Sequence, residues 1–75
     1  MPTWIVRWTD AVRPYRAADV GIIDADELQT TDSWLVWWGL RWVIGQPRLI
    51  VVLRLLRSDV ASVRGLGEEK VRDGR

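Results

Sequence analysis

Residues able to make and break bonds are scarce in this chain. Histidine and cysteine are both absent, so the usual nucleophile–base pairs and transition-metal sites cannot be assembled. Hydroxyls, carboxylates, Tyr15 and Lys70 are what remain. Ser33, Ser58 and Ser62 have no base beside them, and each reads as a turn or strand hydroxyl. Asp24, Asp26 and Glu27 form the densest acidic group. Oxygen ligands spaced in this way can hold Ca²⁺ or Mg²⁺, but the further acidic or amide ligands and the central glycine of a calcium loop do not follow. The group therefore reads as a turn. Gly65-Leu66-Gly67 is not followed by the Gly-Lys-Ser/Thr of a phosphate loop. No catalytic residue, cofactor site or metal site is expected, and the chain reads as non-enzymatic.

Aromatic and basic residues interleave more suggestively. Trp4, Arg7, Trp8, Trp34, Trp37, Trp38, Arg41 and Trp42 could form a platform on which bases stack beside guanidinium groups, with Arg7 and Arg41 as the nucleic-acid contacts. Stacking needs exposed rings and a groove that tracks phosphate. Net charge is only +1, from 11 basic and 10 acidic residues, so no global field draws a polyanion. Tryptophans serving as core are the simpler reading.

Composition bounds the elements that must carry these residues. A chain of 75 residues allows one core and buries only ~60–65% of its unfolded surface. Yet 48% of the residues are hydrophobic and six are tryptophan, more than a minimal core requires. The surplus points outward, to a partner. Without cysteine the domain folds on packing alone. Ten of the eleven basic residues are arginine, and Asn and Phe are absent along with His and Cys. This is the usage of a high-GC genome, such as that of an actinobacterium or one of its phages, and a cytoplasmic or virion-associated location is the matching expectation. The opening Met-Pro-Thr-Trp lacks the pattern of a secretory leader. The apolar stretch from Trp34 to Leu56 is interrupted by Arg41, Gln46, Pro47, Arg48 and Arg54, so no transmembrane span is expected, although Trp and Arg together also suit a membrane interface.

Periodicity gives a mainly β domain over residues 1–66. Residues 3 to 9 alternate strictly, with Trp4, Val6 and Trp8 on one face, as in a half-buried strand. Pro14 places the next segment at an edge or delays its pairing, and Gly21 marks a bend. A third strand is expected from Glu27 to Thr31, a fourth from Trp34 to Trp38 with a break or bend at Gly39 before Leu40 to Ile44, and a loop at Gly45-Gln46-Pro47. Residues 48 to 56 fit two patterns. The β-branched run Ile50-Val51-Val52 favours a strand, while a stripe through Leu49, Val52, Leu53, Leu56, Val60 and Val63 allows an α+β alternative with a helix over 48–64. With a strand, Arg57-Ser58-Asp59 is a turn and Val60 to Leu66 closes the domain. The expected architecture is an antiparallel meander of five or six strands curled into a small SH3-like barrel or roll. Residues 67–75 read as a polar, mobile tail.

Function follows from the surplus. A protein-interaction or assembly module, forming a homo-oligomer or holding a protein partner, is expected to use the region Trp34 to Leu56, which is apolar on both sides of its strands. The interface residues expected are Trp37, Leu35, Trp42, Ile50, Val52 and Leu56. Trp37 is taken to face out, because Trp34, Val36 and Trp38 form the longer same-face set and so the expected core. A single-stranded nucleic-acid binder is the alternative, and salt separates the two, since phosphate contacts weaken steeply as salt rises.

Overall fold

A computed structural model describes residues 2–67 and 70–73. The chain is mainly β. Its strands are β1 (Thr3–Trp8), β2 (Val20–Asp24), β3 (Glu27–Thr30), β4 (Trp34–Val43), β5 (Gln46–Leu56), β6 (Val60–Gly65) and β7 (Lys70–Asp73), with single 3₁₀ turns at Arg13–Tyr15 and Arg57–Asp59. They form two sheets, one of three strands in the order β2-β1-β6 and one of four in the order β5-β4-β3-β7. All neighbours are antiparallel except β3 and β7. Among the described residues the two sheets form no closed barrel of the expected SH3-like kind.

The alternation in β1 acts as its residues dictate. Trp4 and Val6 are buried and Trp8 packs against the same cluster, joined from the three-stranded sheet by Ile23, Val60 and Val63, and across the interior by Leu28, Leu35 and Trp37. Large side chains dominate this core, each fully buried one contributing roughly 1.5–3 kcal/mol by leaving water. The Trp4 indole N–H donates to the carbonyl of Ala25 at 2.9 Å, which satisfies a buried donor and holds the β2–β3 corner against β1. The Trp37 indole N–H is equally buried and has no acceptor.

Residues 48–56 are extended within β5, so the helical alternative is overturned. Pairing with β4 decides the matter, because the ladder from Val43–Gln46 to Trp34–Leu56 serves the backbone of both strands. Gly39 does not break β4 either. A side chain there would meet Val52 at 2.7 Å and the Arg41 guanidinium at 2.8 Å, so the missing Cβ makes room for both. The reversal comes earlier than the expected loop, at Ile44 and Gly45, whose φ values are 49° and 73°. Two successive positive φ values match the twist of a two-residue hairpin, and for β-branched Ile44 that conformation is strained.

One further difference and one agreement concern the ends of the sheets. The segment Lys70–Asp73, which falls in the stretch expected to be a polar, mobile tail, is a strand parallel to β3, with Leu28 opposite Val71. The acidic group does form a corner. The Asp26 N–H donates to the Trp38 carbonyl at 2.8 Å, and its carboxylate accepts the N–H of Leu40 at 2.7 Å, extending the β3–β4 contact beyond the end of β3.

Candidate interaction surface

The β4–β5 hairpin places its residues on two faces. Cross-strand partners share a face, and Leu35 and Trp37 belong to the core. Trp34, Val36, Trp38, Leu40 and Trp42 of β4 therefore point the other way, with Leu49, Val51 and Leu56 opposite them on β5. Val52 has no partner in the ladder, and the register slips there. This bulge lets Val52 and Leu53 both lie on the core side.

Expected interface residues divide accordingly. Trp37 is fully buried and Leu35 nearly so, which reverses the expectation that they face out. Of the set expected in the core, Val36 is buried, while Trp34 and Trp38 are half-buried on the outer face. Trp42 is 77% exposed, beside the hairpin tip. Leu56 lies on the same outer face at the far end, opposite Trp34, and Ile50 and Val52 lie on the core side of β5, where both remain exposed. Sequence reasoning missed Leu40, Leu49, Val51 and Leu53, all exposed, and the tip residue Ile44, which is 97% exposed. The signal for most of them was the turn, since fixing Ile44-Gly45 as the reversal fixes every pair as far as Trp38 and Val51, where the register slips.

The outer apolar face is large for so small a domain. An exposed indole presents on the order of 200 Å², so Trp42 alone supplies a large part of the few hundred Å² that a soluble monomer ordinarily leaves as one apolar patch. Leu40, Leu49, Val51 and Leu56 extend it along both strands.

The residues expected to form a stacking platform are divided between the two sheets. Arg7 is on β1, on the side away from the core residues Trp4 and Val6, while Arg41 lies on the other sheet and donates to the carbonyls of Leu40 at 2.9 Å and Asp24 at 3.4 Å. The two do not converge. Arg54 sits over the Trp34 ring at 4.6 Å and Arg16 over the Trp8 ring at 4.3 Å, so a face of each indole is occupied by a guanidinium. The Trp38 indole N–H is held by the Gln29 side chain at 3.0 Å. Among the described residues no helix is long and apolar enough to cross a membrane. The chain matches no family model, no curated protein and no solved structure.

Proposed function

We propose that this protein is a small, non-catalytic assembly module that associates with itself through the β4–β5 hairpin. One observation carries the reading: the longest strands of the fold leave apolar residues of β4 and nearly all of β5 uncovered. Tryptophan anchors at interfaces are often worth 2 kcal/mol or more, and Trp42 is the indole placed to act as one. Single-stranded nucleic acid is the weaker reading, because Arg7 and Arg41 are apart and the rings of Trp34 and Trp8 already carry guanidinium groups.

Solution mass measured across a concentration series tests the proposal. Mass should rise with concentration and change little between low and high salt, as expected of an apolar contact. Trp42→Ser should weaken association by on the order of tenfold or more while leaving the far-UV spectrum intact. A wild-type chain that stays monomeric at high concentration, or one that binds single-stranded DNA with steep salt dependence, would remove this reading.

A further inference from the structure

The exposure of β5 is even on its two sides. Leu49 and Val51 on the outer face are 38% and 47% exposed, and Ile50, Val52 and Leu53 on the core side are 38%, 38% and 37%. A partner lying over one face would cover only one of these sets. What is missing lies in the plane of the sheet, alongside the strand, where β5 is the edge. Five consecutive uncharged apolar residues, 49 to 53, between Pro47-Arg48 and Arg54, form a stretch of that edge free of the charges and proline that normally guard one.

Hydrogen bonds on the other side of β4 fix which β5 groups face outward. The Leu40 N–H and the Trp38 carbonyl both bond to Asp26, toward β3, so neither is turned toward β5. In an antiparallel ladder the residues opposite them, Leu49 and Val51, then turn their own N–H and C=O away from β4. Pro47, opposite Trp42, shares this phase, which explains how a residue with no N–H is accommodated within the strand. Beyond Val51 the bulge at Val52 shifts the phase.

Resting on the assembly reading above, we infer that the occupant is a second copy of this chain, whose β5 pairs antiparallel with the first about a two-fold axis at Ile50. A two-fold axis makes the same edge serve both partners, and three registers can be compared. Centred on Leu49, the pairing sets Pro47 against Val51 of the second copy and loses donors. Centred on Val51, it sets Leu49 against Leu53 of the second copy, which lies beyond the bulge and turns its own N–H and C=O toward Trp37 of β4, so the outward groups of Leu49 lose their partners. Centred on Ile50, it sets Leu49 against Val51 of the second copy and the reverse, so all four outward N–H groups and all four carbonyls face a partner. Arg48 then meets Val52 of the second copy. The two four-stranded sheets become one of eight, and the outer apolar faces become continuous.

Because the chain has no cysteine, single-cysteine variants report this geometry directly. Ile50 would face itself across the axis in a pair whose Cα atoms are ~4.5 Å apart, within disulfide range. Mild oxidation of Ile50→Cys should convert the protein to a covalent dimer far faster than Leu49→Cys or Val51→Cys alone, whereas a mixture of those two should yield the heterodimer. Leu49→Pro, which removes an outward N–H without touching the β4 ladder, should abolish concentration-dependent mass and retain the wild-type far-UV spectrum. A wild-type dimer with no preferred Ile50→Cys cross-link overturns the edge pairing and leaves the assembly reading standing. A wild-type monomer at every concentration, or one that pairs only with a different protein, overturns both.

Discussion

The two-sheet core and the hairpin that extends from it use the same kinds of residue to opposite ends. Trp4 and Trp42 each sit in a strand of a small sheet, but Trp4 is covered by the opposing sheet and its indole bonds to Ala25, while Trp42 is left in water. Leu28 and Leu49 differ in the same way. Hydrophobicity thus marks what must be covered, and topology decides whether the chain covers it. Here β4 and β5 are ten and eleven residues long and the three strands facing them are five or six, so the opposing sheet runs out before the hairpin does.

Truncating the two indoles should separate the regions most widely. Trp4→Ala is expected to cost about 3–5 kcal/mol of monomer stability, a large share of the ~5–15 kcal/mol that holds a domain together. Trp42→Ala should stay within about 0.5 kcal/mol. Denaturant titration at a concentration that keeps the chain monomeric measures both, and equal losses would mean that the hairpin tip is packed.

A finer contrast lies inside the core. Trp4→Phe leaves the Ala25 carbonyl without its donor and should cost about 1–3 kcal/mol beyond the lost volume. Trp37→Phe removes an indole N–H that has no acceptor, so the loss of volume is partly offset by shedding the cost of burying that donor. The same titration, made on both variants, should rank Trp4→Phe as the more damaging, and the reverse order would show that Trp37 bonds through its indole.

The smallest effect belongs to the turn. Ile44→Asn places a residue that tolerates positive φ beside Gly45, in the pair favoured by this hairpin type. Stability should rise by about 1 kcal/mol, read as a higher thermal midpoint. A fall would mean that the Ile44 side chain, despite its exposure, supports the fold.

Much of this was legible in the sequence, and the failures have physical causes. The strict alternation around Trp4, Val6 and Trp8 identified β1 and its buried face, because a half-buried strand writes its orientation locally. In β4, both Trp34-Val36-Trp38 and Leu35-Trp37 are apolar sets, so local pattern could not say which faced the core. The opposing sheet made that choice, and it favoured the shorter set. Strand β7, with Val71 its one large apolar residue, has a polar sequence and a parallel partner far away in the chain, so nothing local announced it. Ile44 at positive φ runs against its own preference, which is why the hairpin reversal was expected one residue late.

Amide hydrogen exchange along β5, followed as a function of protein concentration, tests the central claim most directly. In dilute solution the N–H groups of Leu49 and Val51, turned away from β4, should exchange quickly, while that of Ile50, turned toward β4, should be protected. At high concentration Leu49 and Val51 should become protected and Ile50 should change little. If Leu49 and Val51 remain fast at every concentration, the edge of β5 has no partner and the account is contradicted.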